Sequence, residues 1–187
     1  MKLPNIYICG KAGAGKTYCA NYLIKNYGYR RAKFAYPVYD IAYNYFDMKN
    51  KDRKLLQVIG TDIGRELVDS EIWVKRFIED TFIVRKTAEK LGYPITALIS
   101  DDVRFPNESV ALKKAGWIGI YLDVPDDIRI RRLGKRDGDA QVATLQHSSE
   151  TLIDTFKDSL IRVDSSGTLE ETYNNIEIVI TNIKKEA

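Results

Sequence analysis

Apolar residues along this chain form short runs of strand length, separated by longer segments with helical spacing. The runs lie at Leu3–Gly10, Arg31–Tyr36, Ile95–Asp101, Trp117–Val124 and Ser159–Ser166. A strand that is apolar on both faces is typical of a parallel sheet covered on both sides. The pattern therefore predicts five strands of a parallel sheet that is covered on both sides.

Amphipathic segments fill the intervals between the predicted strands and predict helices at Lys16–Asn26, Pro37–Phe46, Lys51–Leu67, Glu71–Leu91, Asn107–Ala115, Pro125–Leu133 and Leu169–Lys184. Strands that alternate with helices are joined by right-handed crossovers, which place helices on both faces of the sheet. We therefore predict an α/β fold, a three-layer sandwich. No repeat or linker divides the sequence, so residues 1–187 are expected to form one domain.

The turn between the first strand and the first helix carries the strongest motif. It reads GKAGAGKT and matches the phosphate-binding P-loop, G-x-x-x-x-G-K-[ST]. In this motif backbone N–H groups and a helix N-terminus surround phosphate oxygens, Lys16 bridges the β- and γ-phosphates, and the Thr17 hydroxyl binds Mg²⁺. We therefore predict that ATP and Mg²⁺ bind here, with contacts from Gly10, Ala12, Gly13, Ala14, Gly15, Lys16 and Thr17.

Two adjacent carboxylates, Asp101 and Asp102, follow the third strand, and Arg104 comes two residues later. Ligands of open α/β sheets bind at the carboxyl ends of strands. A carboxylate at this point can hold a Mg²⁺ ion with its water shell or accept a proton, and an Arg can bind phosphate with two N–H groups. The alternative is that the two Asp residues only cap the next helix.

A second candidate region surrounds Gly60 and Thr61, which are expected to interrupt one helix and start another. Arg65 and Trp73 follow this break, and together they have the chemistry to hold a phosphate and a base. The alternative is that Arg65 lies on the surface and Trp73 in the core, and the residues alone do not decide between the two.

The polar, glycine-containing segment at about 133–150 is predicted to be a surface excursion or a lid. Arg129, Arg132 and Arg136 precede or begin it with the spacing of one helical face. Phosphoryl transfer needs cations around the transferred group and the exclusion of water, and a closing segment with arginines meets both needs.

The composition of the chain argues against some classes of function but does not indicate one. The net charge of +3 is too small to indicate nucleic-acid binding, and no apolar stretch reaches the length of a membrane span. Cys9 and Cys19 lack the spacing of metal ligands and read as reduced packing residues. We expect a cytoplasmic protein, in the host cytoplasm if a phage encodes it.

Several strings of the sequence occur in an order that resembles phage-type deoxynucleoside monophosphate kinases, within the wider group of P-loop nucleoside monophosphate kinases. They are GKAGAGKT, FAYP (Phe34–Pro37), LLQVIGTDIGRELVDSEIWV, DDVRFPNE and HSSE (His147–Glu150). The resemblance implies a five-stranded parallel sheet in the order 2-3-1-4-5. It also implies a helical region at about 37–91 that binds the acceptor monophosphate, and an arginine-bearing lid at about 133–150.

The resemblance also implies roles for single residues at the two substrates. Lys16 and Thr17 would bind the phosphates of ATP and Mg²⁺, and Asp102 would be the carboxylate on the metal side. The loop Asp164–Thr168 would lie near the adenine. Because this chain has one Asp more than the family string needs, Asp101 could exchange roles with Asp102 as the metal-side residue.

At the acceptor, Arg65 and Arg104 would hold the monophosphate, and Arg132 and Arg136 would reach the transferred group from the lid. Tyr36 stands in the FAYP string where the family often has a charged residue, and we include it with Trp73 among the expected substrate-binding residues.

The expected reaction is Mg²⁺-dependent transfer of the γ-phosphoryl group of ATP to a (deoxy)nucleoside 5′-monophosphate. Two alternatives stay open: a P-loop kinase for another small molecule, such as dephospho-coenzyme A or a sugar, and an ATPase module that acts on a partner. The expected partners are small nucleotides, without a membrane or nucleic acid. The base preference and the oligomeric state, for which a homodimer is one option, are not determined by the sequence.

Overall fold

The computed structural model describes residues 3–93, 95, 97–137 and 152–186, which form two compact units. The sheet unit comprises the chain up to Arg31 and the chain after Ile95, and the helical unit is Ala32–Ile95. The sheet unit contains the P-loop and nearly all of the residues that were predicted to form strands. The expected limits of the acceptor-binding region, 37–91, and of the lid, 133–150, stay predictions.

The sheet unit is built on five parallel strands in the order β2-β3-β1-β4-β5. The strands are β1 (Ile6–Cys9), β2 (Arg30–Arg31), β3 (Leu98–Ser100), β4 (Ile118–Asp123) and β5 (Ile161–Asp164). The predicted fold class and strand order are therefore confirmed. Because all strands run in the same direction, the loops that follow β1, β3, β4 and β5 meet at one edge of the sheet.

Helices of the sheet unit connect these strands and follow the last one. They are α1 (Lys16–Tyr27), α5 (Pro106–Lys114), α6 (Asp126–Asp137) and α7 (Leu169–Glu186), with short 3₁₀ helices at Leu152–Thr155 and Lys157–Ser159. The central strand β1 is buried along its whole length, and its Ile6 and Ile8 pack with Leu23 of α1 and Ile176 of α7. Burial of this kind is the main favourable term that holds such a sandwich together.

The helical unit contains α2 (Tyr36–Tyr45), α3 (Arg53–Gln57) and α4 (Ile72–Lys90), together with a π-helix at Val58–Val68 that follows α3 directly. We call this π-helix the wide helix. The core of the helical unit includes Phe34 and Phe77, whose rings stack with centroids 4.0 Å apart. Asp52 caps the N-terminus of α3, and its carboxylate accepts the backbone N–H of Leu55 at 3.0 Å.

Two local predictions in this unit are wrong. The second strand does not extend to Tyr36, because α2 begins there with Pro37 in its first turn. Gly60 and Thr61 do not interrupt a helix: the wide helix continues through them and ends before Asp69, which is extended at φ −165°. Within the described residues, no helix has the length and apolar character needed to cross a membrane.

Candidate active site

The P-loop turn connects β1 to α1, and its shape depends on glycine. Gly13 and Gly15 have φ of 85° and 93°, values that residues with a side chain rarely adopt. The N–H of Ala14 donates to the carbonyl of Lys11 at 3.1 Å and closes the turn. These conformations bring successive backbone N–H groups to the inside of a turn, the arrangement that binds an anion.

Lys16 is the first residue of α1, and its side chain reaches back over the turn. Its Nζ donates to the carbonyl oxygen of Gly10 and, at 3.1 Å, to that of Lys11. The ammonium group is thus held over the mouth of the turn by backbone acceptors. Thr17 follows on the exposed first turn of the helix, where backbone N–H groups have no partner within the helix.

Asp102 lies next to the P-loop. Its Oδ1 accepts the hydroxyl of Ser100 at 2.9 Å, which fixes the carboxylate at the end of β3. β1 and β3 are adjacent parallel strands, so the P-loop, which follows β1, and Asp102, two residues beyond β3, lie at the same carboxyl edge of the sheet. Burial raises the pKa of the Cys9 thiol, at the end of β1, above its usual range.

The neighbouring carboxylate, Asp101, has different surroundings. Its side chain has no exposure to solvent, and its Oδ1 lies 3.5 Å from Nε of Arg31, at the end of β2. Arg31 in turn donates from Nη2 to Oδ1 of Asn21 at 2.7 Å. This chain of contacts ties β3 and β2 to α1 and gives the buried charge of Asp101 a partner.

Arg104 lies on the exposed part of the loop that leads from β3 to α5. The backbone of this loop is fixed by Glu108, which is 1% exposed and accepts the N–H groups of Arg104 at 2.7 Å and of Phe105 at 3.1 Å. The sequence prediction gave Glu108 no role. The signal was present, because a Glu in the first turn of a helix often accepts the N–H at the helix start.

The helix α6 packs directly against the P-loop. A Cβ added to Gly13 would lie 2.6 Å from the carbonyl oxygen of Arg129, so this position has no room for a side chain. Arg129 itself is 8% exposed and donates from Nε to Oδ1 of Asp126 at 2.6 Å. The sequence predicted that Arg129 shares one helical face with Arg132 and Arg136. That prediction did not include the burial of Arg129 beside the turn.

A second contact links the P-loop to the chain that follows the predicted lid. Lys11 Nζ lies 3.2 Å from Oδ2 of Asp154, in the 3₁₀ helix Leu152–Thr155. Lys157 also donates to Asp154, at 2.6 Å, and the two lysines hold the pKa of the Asp154 carboxyl below its usual range, Lys157 contributing most. The side of the P-loop at Lys11 is therefore lined by an ion-pair cluster that sequence spacing did not indicate.

Arg132 contacts the loop after β5 rather than the P-loop. Its guanidinium donates to three successive carbonyl oxygens, those of Ser165 at 2.8 Å, Ser166 at 3.2 Å and Gly167 at 2.6 Å. This loop belongs to Asp164–Thr168, the segment expected near the adenine. The predicted lid role of Arg132 stays a prediction.

In the helical unit, Arg65 and Trp73 are both associated with the wide helix. Arg65 Nη1 donates to the carbonyl of Ser70 at a long 3.5 Å. Trp73 is 5% exposed, and its indole N–H donates to the carbonyl of Gly60 at 2.7 Å. Tyr36 is half exposed at the start of α2. Trp73 thus supports the wide helix from the core, while the substrate-binding roles of these residues stay predictions.

Part of the predicted lid lies outside the described residues. The helix α6 extends to Asp137, but the side chain of Arg136 and the segment 138–150, with its HSSE string, are not described. The prediction that Arg136 reaches the transferred group is therefore neither supported nor opposed by the geometry.

No family model matches this chain. Among curated proteins, it is 27% identical over 199 residues to a protein of Acanthamoeba polyphaga mimivirus named "Putative deoxynucleotide monophosphate kinase", a match that covers 95% of this chain and 96% of that protein. It is 39% identical over 66 residues to the deoxynucleoside-5′-monophosphate kinase of Escherichia phage T5, covering 35% of this chain and 23% of that protein.

Among solved structures, a gluconokinase from Sinorhizobium meliloti 1021 aligns with 100% of this chain and 99% of its own, with a TM-score of 0.50 and 15% identity. At that identity the match concerns the fold alone. The predicted class of enzyme, a nucleoside monophosphate kinase, agrees with the names of both sequence relatives. The chain has the fold of a P-loop kinase, and its predicted resemblance to deoxynucleoside monophosphate kinases is confirmed by these relatives.

Proposed function

We propose that this protein transfers the γ-phosphoryl group of ATP to a deoxynucleoside 5′-monophosphate and releases the diphosphate and ADP. The observation that carries the proposal is that the P-loop with Lys16, which follows β1, and Asp102, which follows the adjacent parallel strand β3, lie at the same carboxyl edge of the sheet. The name of the mimivirus relative, which matches 95% of this chain, supports the choice of acceptor.

The donor end of the reaction belongs to the P-loop. The backbone N–H groups of the turn and the N-terminus of α1 would bind the phosphate chain, because the helix dipole favours an anion there. Lys16 would leave the carbonyls of Gly10 and Lys11 for the β- and γ-phosphates, exchanging two neutral acceptors for charged ones. Positioning and charge neutralisation account for most of the catalysis in phosphoryl transfer.

The residues near the turn suit Mg²⁺. A hydroxyl at Thr17 and a carboxylate at Asp102 form a small set of oxygen donors, and Mg²⁺ is commonly held by one or two protein ligands with phosphate oxygens and water. The ion would neutralise charge on the phosphates. We propose Asp102 for the metal side rather than Asp101, because the Asp101 side chain is enclosed and faces Arg31.

For the acceptor, we propose that Arg104 binds the monophosphate, with its loop held in place by Glu108. Arg65, Trp73 and Tyr36 are proposed to contribute from the helical unit on the strength of the sequence resemblance. Arg104→Ala and Arg65→Ala should each raise KM for the acceptor strongly and KM for ATP little. The exposed Lys114→Ala in α5 is the control, and equal effects on both substrates would remove the acceptor role.

Arg136 is proposed as an arginine that acts on the transferred group. Interactions made mainly in the transition state change kcat more than ground-state binding. Arg136→Ala should therefore lower kcat by roughly 10³-fold, with less than about a tenfold loss of ATP affinity. If ATP affinity and kcat fall together, the segment does not have this role.

The deciding experiment is an acceptor screen with Mg²⁺ and ATP. The four deoxynucleoside monophosphates are compared with their ribose counterparts, gluconate, dephospho-coenzyme A and no acceptor. ADP release is measured together with chromatographic identification of the phosphorylated product. We expect slow ATP hydrolysis alone and rapid formation of a deoxynucleoside diphosphate with at least one acceptor.

Two results would replace the proposal. Preferential phosphorylation of gluconate or dephospho-coenzyme A would indicate another small-molecule kinase. Hydrolysis that is indifferent to mononucleotides but stimulated by DNA or a protein would indicate an ATPase module. We propose that the reaction takes place in the cytoplasm, where ATP and mononucleotides are available. Size-exclusion chromatography during purification would show whether the protein forms a homodimer.

A further inference from the structure

Arg129 of α6 is a charged residue that is enclosed beside the P-loop. Its side chain is only 9% exposed. A Cβ added to Gly13 would lie 2.6 Å from the carbonyl oxygen of Arg129 and 3.1 Å from its Cβ, so the backbones of α6 and the turn are in contact here. A guanidinium is not deprotonated in proteins. The residue that packs against the anion-binding turn therefore carries a permanent, buried positive charge.

The guanidinium of Arg129 is only partly satisfied by hydrogen bonds. Its Nε donates to Oδ1 of Asp126 at 2.6 Å, whereas its Nη1 is buried and has no hydrogen-bond partner among the residues that the structure describes. A buried charged donor without an acceptor lowers the free energy of unfolding, because water satisfies that donor in the unfolded chain. Stability alone therefore does not explain why an arginine occupies this position.

The charges around Arg129 lie on the same flank of the P-loop. The pKa of the Asp126 carboxyl is held below its usual range, first by the hydrogen bond from Arg129 and then by the charges of Arg129 and Lys11. Lys11, inside the turn, pairs with Asp154 at 3.2 Å. The side chain of Asp126 is 64% exposed, so water screens its charge more than that of the enclosed guanidinium. The field of the Arg129–Asp126 pair at the turn is therefore positive.

We propose that Arg129 is a positioning residue for the phosphates of the donor nucleotide: its buried charge supports the P-loop from the side of α6 and strengthens anion binding at the turn. This inference rests on the proposed function, which takes the P-loop as the donor site, and adds to it a residue outside the motif. Groups that serve a ligand often lower the stability of the fold, which accounts for the unsatisfied nitrogen.

The test compares Arg129→Met and Arg129→Lys with Arg131→Met. Methionine retains a flexible unbranched stem without charge, and lysine retains the charge. Arg131 is a matched control on the same helix, because its side chain is 65% exposed and its replacement changes the net charge by the same amount. Calorimetry would measure the binding of ATP, GTP and ADP, and urea unfolding would be followed on the same samples.

With Arg129→Met we expect Kd for ATP to rise about tenfold, the scale of one charge that acts across a partly screened distance. GTP should lose affinity by the same factor, because Arg129 does not touch the base. ADP should lose less than ATP, since it brings one phosphate fewer to the turn. Arg129→Lys should keep most of the ATP affinity, and Arg131→Met should bind like the wild type.

Stability should change in the opposite sense to affinity. The free energy of unfolding of Arg129→Met should stay unchanged or rise, because an incompletely paired buried charge is replaced by an apolar side chain. A residue with a purely structural role would lose stability together with ligand binding. The combination of weaker ATP binding with retained stability is therefore the result that identifies a positioning role.

Asp126→Asn gives a prediction of the opposite sign for affinity. It removes the countercharge and leaves Arg129 in place, so Kd for ATP should fall by about twofold to threefold. Because Asp126 is exposed, this variant keeps the test available if Arg129→Met does not fold. An ATP affinity that is unchanged or weaker in Asp126→Asn would contradict the inference.

Three results with the Arg129 variants would overturn the inference. Wild-type ATP affinity in Arg129→Met would mean that the charge does not act on the turn. Equal losses of affinity in Arg129→Met and Arg129→Lys, with lower stability, would mean that Arg129 acts only by packing. A loss confined to ATP, with GTP unaffected, would place Arg129 at the base. The measurement needs no acceptor, so it still applies if the acceptor screen identifies another kinase, whereas a wild-type protein that does not bind ATP would refute the proposed function itself.

Discussion

In the P-loop turn glycine provides backbone conformation, whereas in the wide helix it provides space. Gly13 and Gly15 take φ values that a side chain disfavours, and these values give the turn the shape of an anion-binding loop. Gly64 of the wide helix instead faces the Trp73 ring, and a Cβ there would lie 2.6 Å from Cζ2 of that ring.

The two regions also differ in what holds them. The turn is closed by its own neighbours, as in the bond from Ala14 to Lys11. The wide helix spans 11 residues, although π-helices are usually single turns, and it is supported by Trp73 from the following helix. We infer that changes in the P-loop region affect activity more than stability, and that changes around the wide helix do the reverse.

The largest effect is expected from Lys16→Ala. Loss of the ammonium group over the turn should lower kcat by roughly 10³-fold, while the melting temperature changes by only a few degrees, since the bonds of Lys16 to Gly10 and Lys11 are local. The exposed Lys25→Ala, on the same helix, should leave both quantities unchanged. Near-normal turnover of Lys16→Ala would remove the basis of the kinase proposal.

Substitutions of Asp101 and Asp102 test, within the sheet unit, whether a residue near the P-loop affects activity more than stability. Asp102→Asn should lower kcat by roughly 10²-fold, only partly restored by more Mg²⁺, with little loss of stability. Asp101→Asn should cost at most about tenfold in kcat.

The stability of Asp101→Asn should fall by about 1–3 kcal/mol, because Arg31 loses its countercharge, although the partial exposure of Arg31 reduces the cost. Steady-state kinetics and urea unfolding of Asp101→Asn and Asp102→Asn measure the changes in kcat and in stability. The reverse ranking in kcat would move the metal-side role to Asp101.

In the wide helix, Gly64→Ala should lower the free energy of unfolding by about 1–3 kcal/mol, because the new methyl group overlaps the Trp73 ring. Gly60→Ala is the matched control in the same helix: its methyl group would meet Val38 at an ordinary 3.6 Å. The control should be neutral or up to about 1 kcal/mol more stable. Urea unfolding followed by circular dichroism gives both values, and equal losses would contradict the packing explanation.

The smallest effect is expected from Trp73→Phe, which removes the donor to Gly60 and leaves that carbonyl without the indole partner. We expect a loss of about 1 kcal/mol in the free energy of unfolding. If Trp73 acts only by supporting the helix, KM for the acceptor should change less than threefold. A much larger rise in KM, with stability retained, would favour the alternative in which Trp73 contacts the base.

The sequence was most informative where function depends on local backbone geometry. The GKAGAGKT string indicated the turn, the following helix and the ligand, because each property depends on residues within eight positions of one another. It was less informative in LLQVIGTDIGRELV, where Gly60 favoured a helix break. The wide helix continues there because Trp73, thirteen positions later, packs against it.

By itself, the sequence determined the order of strands and helices, the P-loop and the strings that resemble deoxynucleoside monophosphate kinases. Hydrophobic periodicity and glycine positions act over short distances and can be read from neighbouring residues. Only the tertiary structure showed that Asp101 is enclosed beside Arg31 while Asp102 accepts the hydroxyl of Ser100, and it brought Arg132 to the loop after β5. Those differences depend on which side chains from distant segments share the same burial and charge, and spacing along the chain does not contain that information.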